Sequence, residues 1–232
     1  MTHGKTHRPR YRWTLAFGIL ATVGTVGLTA CASAGSRPTD MSADAHYAAA
    51  ARERAAAAAA AAKFDPTATR TERIIVDPLA GDYEARTYNP TAEFQAEAAA
   101  HREAAAQHLA AARQLEANEA KQCGALPAEA HTACPLHDQL RAIAPVDDGV
   151  ELTLAPDASV EDFMARVTCH LAFAQTEHYE GMDACPLFLR DVRARAVDAH
   201  TVRFTVDDDD LVPELRRRVR THLDEPMQTG LR

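Results

Sequence analysis

Cysteines and histidines in the second half of the chain are the residues with chemistry to offer. Cys123, Cys134, Cys169 and Cys185 lie among His131, His137, His170 and His178, and His131-Thr-Ala-Cys134-Pro-Leu-His137 has compact ligand spacing. Thiolate and imidazole together suit zinc or copper(I). One candidate ligand set is therefore His131, Cys134, His137, Cys169 and Cys185. Two features weigh against it. No strand–knuckle pattern surrounds the run, and Cys169 and His170, adjacent on a helix, would point about 100° apart. His170 also has a helical counterpart in His222, which has no cysteine beside it, so a packing or surface role explains that pair more simply. No Cys-x-x-Cys is present, which argues against a redox-active dithiol. The competing reading of the four cysteines is two disulfides, and the cellular compartment has to choose between the readings.

Other chemistries find little support. The chain carries no Gly-x-Ser-x-Gly elbow and no His-Glu-x-x-His. Asp207–Asp210 is an acidic run without the glycine and spaced acids of a calcium loop, and it reads as a solvated turn matching a helix dipole. Arg216, Arg217, Arg218 and Arg220 near the opposite end of that helix complement the same dipole, with anionic glycans or lipid headgroups as the alternative partners. The 232 residues hold 25 basic and 33 acidic side chains, a net charge of −8. That balance disfavours nucleic acid, whose phosphates need a basic face. Four of the ten glycines precede residue 30, so no glycine-rich phosphate cradle is available. We expect no catalytic residues, no enzyme activity and no cofactor.

The elements that must position the cysteines belong to an internal repeat. Ala133-Cys134-Pro135-Leu136 returns as Ala184-Cys185-Pro186-Leu187, and Val146-Asp147 returns as Val197-Asp198 at the same offset of 51. After one added residue, Val150, Leu152, Thr153 and Leu154 match Val202, Phe204, Thr205 and Val206. Val160, Arg166, Val167, His170 and Leu171 then match Val212, Arg218, Val219, His222 and Leu223. Each unit reads as Ala-Cys-Pro-Leu, strand, turn, strand, helix. Asp147-Asp148-Gly149 turns the first hairpin and Asp198 to Thr201 the second. Ser159 caps the first helix, whose inward stripe is Val160, Phe163, Met164, Val167 and Leu171. The last helix buries Val212, Leu215, Val219 and Leu223. The arrangement predicts an α+β fold: a four-stranded antiparallel sheet covered by both helices on one face.

Upstream, Ala43 to Lys63 is alanine with Arg and Glu, including eight consecutive alanines at 55–62, and predicts a helix on propensity alone. A weak hairpin or irregular connection occupies 71–88. Asn89-Pro90 is the expected start of a second long helix, to about Gln122. There Phe94, His101, His108 and Leu115 recur every seven residues with Ala98, Ala105 and Ala112 between them, a narrow seam of coiled-coil type. His101 and His108 are roughly 10 Å apart in rise, too far for one ion. We read them as seam histidines, and the two alanine-rich helices as either a hairpin or a helix with a loose spacer.

The N-terminus is an address. Lys5, Arg8, Arg10 and Arg12 precede an apolar run from Thr14 to Ala30, the charged and apolar regions of a secretory signal. The run ends in Leu28-Thr29-Ala30-Cys31, which resembles the lipobox of bacterial lipoproteins. That resemblance implies cleavage before Cys31, acylation of its thiol with palmitate-type chains, and a mature chain of 21 basic and 33 acidic residues, net charge −12. Several acyl chains suffice for stable anchoring. Neutral Ala32 after the lipidated cysteine implies transfer to the outer membrane, with the protein facing the periplasm. An even number of remaining cysteines outside the cytoplasm reads as two disulfides. The repeat puts one cysteine on the helix before each Ala-Cys-Pro-Leu, so we pair Cys123 with Cys134 and Cys169 with Cys185, each bond stapling a helix to its hairpin.

Cys169-His170-Leu171-Ala172 followed by Cys185-Pro186-Leu187, after a helix rich in alanine, histidine and glutamate, resembles a group of bacterial lipoproteins with the same pair of motifs. The similarity covers residues 95–190 and implies an envelope location without adding a mechanism. The chain therefore divides into a signal peptide (1–30), a lipidated tether (31–44), an alanine-rich helical region (45–122) and a disulfide-stapled duplicated domain (123–226). The expected role is non-catalytic binding or scaffolding, with the membrane reached through the lipid and an envelope protein or glycan as partner. The alternative is a metal-handling lipoprotein.

Overall fold

A computed structural model describes residues 35–77, 79–137 and 139–224. The signal segment and Cys31 lie outside the described residues. The alanine-rich sequence folds as two long antiparallel helices, α1 (Ala43–Ala61) and α2 (Ala92–Cys123), joined by a ribbon of β1 (Arg70–Asp77) and β2 (Asp82–Tyr88). Ser42 caps α1 by accepting a hydrogen bond from Ala45 N at 3.2 Å. The start of α2 differs from expectation. Its cap position is Thr91, two residues after Asn89, and Asn89 instead accepts from the Thr91 amide at 2.7 Å.

The two helices pair as a hairpin, and the eight-alanine run is part of it. Ala57 and Ala60 are buried, as are Ala98, Ala105 and Ala112 of α2. Alanine on both sides lets the backbones approach, and the seven-residue seam is occupied as read. Its polar members are paired across the hairpin: His101 meets Glu53 at 2.6 Å and His108 meets His46 at 3.1 Å, while Tyr47 donates to Glu116 at 2.7 Å beside them. No helix among the described residues is long and apolar enough to cross a membrane.

The repeated part has the predicted α+β architecture. After the short α3 (Glu129–Thr132) come β3 (Leu140–Val146), β4 (Gly149–Leu154), α4 (Val160–Thr176), β5 (Arg193–Ala196), β6 (Thr201–Thr205) and α5 (Val212–Asp224). The antiparallel sheet runs β3-β4-β6-β5, so the second strands of the two repeats pair at its centre, Leu152 opposite Val202 and Val150 opposite Phe204. Side chains alternate across the sheet. Val150, Leu152, Leu154, Val202 and Phe204 are buried on the helix-covered face, whereas Glu151 and Arg203 pair on the other. Burying a side chain of this size contributes about 1.5–3 kcal/mol. Repeat mates occupy matching core positions: Leu136 with Leu187, Val167 with Val219, Leu154 with Val206.

One feature of the topology governs the site. Helix α5 of the second repeat packs on β3 and β4 of the first, and α4 of the first packs against β5 of the second. The helices are exchanged between repeats, so corresponding residues meet at the centre of the domain. At the first hairpin the close approach of β4 to β6 requires Gly149. A Cβ there would lie 2.0 Å from the Phe204 carbonyl oxygen.

Candidate metal centre

The cysteines pair differently from the sequence-based expectation. Cys123, the last residue of α2, is bonded to Cys169 in the middle of α4. It is not bonded to Cys134, and Cys169 is not bonded to Cys185. The reason is helix packing. Helix α2 lies on α4, and the two cysteines face each other across that contact, so the bond joins helix to helix and not helix to hairpin. Cys134 and Cys185 are left as buried free thiols.

Those two thiols are repeat mates and lie together, Sγ to Sγ 3.0 Å. Each precedes a proline, and the residue before proline is steered away from helical backbone. Helix α3 accordingly ends at Thr132, and Cys185 is extended ahead of a single 3-10 turn, Pro186–Phe188. The Arg218 guanidinium donates to the Cys185 carbonyl at 3.2 Å and ties that segment to α5.

Two histidines complete the cluster, and they are repeat mates too. His170 Nε2 is 3.3 Å from Cys185 Sγ, and His222 Nε2 is 3.4 Å from Cys134 Sγ. The ligand atoms of Cys134, His170 and Cys185 all lie within 4.8 Å of one another. Exchange of α4 and α5 between the repeats brings both imidazoles to the thiols. His170 Nδ1 is 3.0 Å from the His131 carbonyl oxygen. A carbonyl only accepts, so Nδ1 carries the proton and Nε2 points at the sulfurs.

The electrostatics fit a ligand set. The Cys134 thiol beside it, and then the imidazoles of His170 and His222, hold Cys185 well below the ordinary thiol range against the effect of burial. Cys134 is pushed up by its contact with Cys185 and by burial. Both sulfurs are buried, and a thiolate in that setting is costly unless a cation or further donors complete it.

The sequence-derived ligand set is partly assembled. Cys134 and Cys185 are at the centre. Cys169 is consumed in the disulfide. His131 contributes its backbone carbonyl, while its ring sits 3.3 Å from Glu119. His137 stands exposed at the mouth of the site, its ring edge-on to His222 with centroids 4.6 Å apart. Outside that set stand His222 and His170; His170 is a candidate additional donor in the sequence, as is His178, but the repeat pair His170 and His222 reads more simply there as packing or surface. The signal was in the repeat: two cysteines and two histidines are related by nearly the same offset.

The other candidates resolve as structure. Arg216 donates to the carbonyls of Gly149, Val146 and Asp147 and so closes the first hairpin turn. Arg217 and Arg218 pair with Glu214. Asp208 accepts from the Asp210 amide at 3.0 Å within the turn leading to α5. The chain matches no family model, no curated protein and no solved structure.

Proposed function

We propose that the chain is a lipid-anchored envelope protein whose duplicated domain binds a soft transition-metal ion, zinc or copper(I), through Cys134, Cys185, His170 and His222. The observation that carries this reading is the convergence of two unbonded thiols and two imidazoles, one of each from either repeat, in a buried site. The non-catalytic role expected from the sequence is retained, and the metal takes the place of an unnamed partner. Anchoring at Cys31 and an outer-membrane, periplasm-facing location rest on the basic and apolar signal segment, the lipobox and Ala32.

Geometry favours three or four ligands over two. Zinc–sulfur bonds of about 2.3 Å at a tetrahedral angle put two sulfurs roughly 3.8 Å apart. From the observed 3.0 Å that needs a shift well within side-chain reach. A linear dithiolate would need about 4.6 Å for bonds of the same length, a larger displacement in a close-packed core. Bond formation requires deprotonated sulfur, so uptake releases acid.

The test is metal content and thiol protection on the full chain, extracted in detergent under reducing conditions too mild to open Cys123–Cys169. One zinc per chain is expected, with Cys134 and Cys185 alkylated only after chelation and Cys123 and Cys169 never alkylated. A chain that takes up neither zinc nor copper(I) with both thiols reduced overturns the reading.

A further inference from the structure

The four ligands come in two repeat-related pairs, yet their surroundings are not equivalent. His170 is enclosed. It has no exposed surface, its Nδ1 is engaged by the His131 carbonyl, and its ring packs against Phe173 and Phe188 with centroid distances of 6.0 and 5.3 Å. Its neighbour in the chain, Cys169, is bonded to Cys123, which fixes this part of α4 against α2. A ligand histidine held through its second nitrogen keeps one tautomer and one ring orientation.

His222 lacks the second-nitrogen hydrogen bond and the adjoining disulfide, and its ring partner is the exposed His137. It stands in the last turn of α5, and its Nδ1 is buried without a hydrogen-bond partner. It also lines an open surface cavity of about 490 Å³, whose floor is Cys134 and Cys185 and whose rim includes His137 and Met182. His170 does not line that cavity. A buried imidazole nitrogen with no partner is unfavourable. Turning the ring outward would give that nitrogen water and withdraw Nε2 from the sulfurs.

We propose that His222 is an exchangeable ligand through which the ion is loaded and released, while His170 and the two thiolates form the permanent part of the site. The inference rests on the metal-binding reading above. Turning of His222 opens one coordination position toward the cavity. An incoming donor, from a chelator or from the rim imidazole of His137, occupies that position before the thiolates let go. No net redox change is involved: one ligand–metal bond breaks as another forms.

Zinc is the probe, on the full chain in detergent with reduced Cys134 and Cys185. Two quantities are measured: equilibrium affinity by competition, and the rate of transfer to excess chromophoric chelator. His170→Gln is expected to lower affinity by roughly 100-fold or more, beyond the usual loss from outer-shell changes. His222→Gln is expected to lower affinity by about tenfold, well short of the His170→Gln loss, while transfer accelerates about tenfold, because the open position no longer has to be created. Nitrogen-15 NMR of the zinc-loaded wild type provides a readout independent of any variant, with a sharp His170 Nε2 signal and an exchange-broadened His222 Nε2 signal. Equal affinity losses with equal transfer rates in the two variants, or two equally sharp signals, would overturn the asymmetry and leave the metal site standing. A wild-type chain that binds no zinc overturns both.

Discussion

Buried histidines occur in pairs in two parts of this molecule, and their neighbours decide what they can do. In the helical hairpin, His46 and His108 face each other with Nδ1 atoms 3.1 Å apart, both buried. In the duplicated domain, His170 and His222 face two thiols. Among the described residues the hairpin pair has no thiol beside it, although the carboxylate of Asp40 acts on His46. Among the described residues no metal-ligand group includes it. The domain pair has two soft sulfur donors beside it. Burial of a histidine therefore does not by itself mark a candidate metal site; the adjoining sulfurs distinguish the domain pair. The same contrast applies to the cysteines. Cys123 and Cys169 face each other across two packed helices and are bonded, whereas Cys134 and Cys185 are drawn into a ring of imidazoles and remain thiols.

The comparison can be broken most directly at Cys185. Cys185→Ser is expected to lower zinc affinity by roughly 1,000-fold or more, since it removes a thiolate ligand, while leaving the circular dichroism of the helical hairpin unchanged. The same loss from a His46 variant would erase the distinction between the regions. Next in size is the bond between the helices. Cys123 and Cys169 close a loop with a sequence separation of 46, worth about 4 kcal/mol by chain entropy. The double Cys→Ser variant should lose that much in urea unfolding. If it loses no stability, the bond does not constrain the fold.

Gly149→Ala tests the strand approach that holds the two repeats together. The clash with the Phe204 carbonyl should cost about 2–3 kcal/mol, in the range of overpacking, and weaken zinc binding only through unfolding. The smallest effect concerns pH. Burial, and then the neighbouring His108, lower the affinity of His46 for its proton below the ordinary histidine value of 6.5. Above pH 6.5 both folded and unfolded chains hold His46 neutral, and the group adds no pH dependence. Below it the unfolded chain takes up the proton more readily, so stability should fall as pH drops from 7 toward 5. His46→Leu should flatten that slope in thermal unfolding, and an unchanged slope would assign it to other groups.

Much of the fold was legible before any coordinates. Alanine content and the seven-residue seam gave both long helices. Period-two alternation and the Asp-rich turns gave both hairpins, and the offset of 51 to 52 gave the duplication. The pairing of the cysteines was not legible, because closeness in sequence was a poor guide once helices could pack on one another. His170 was misread for a related reason. Its direction on α4, about 100° from Cys169, looked like a conflict between two ligands of one ion. In the fold the two residues serve different partners, Cys169 the disulfide to α2 and His170 the thiols.

The sequence by itself determined the local structure, the repeated unit and the supply of donors, because periodicity, turn chemistry and capping act over a few residues. Only the tertiary structure decided which donors meet. Exchange of α4 and α5 across a sheet whose second strands pair at the centre brings residues 88 positions apart, Cys134 and His222, to 3.4 Å. Such a contact is set by the burial of two apolar helix faces against one sheet, a long-range balance that no single segment carries.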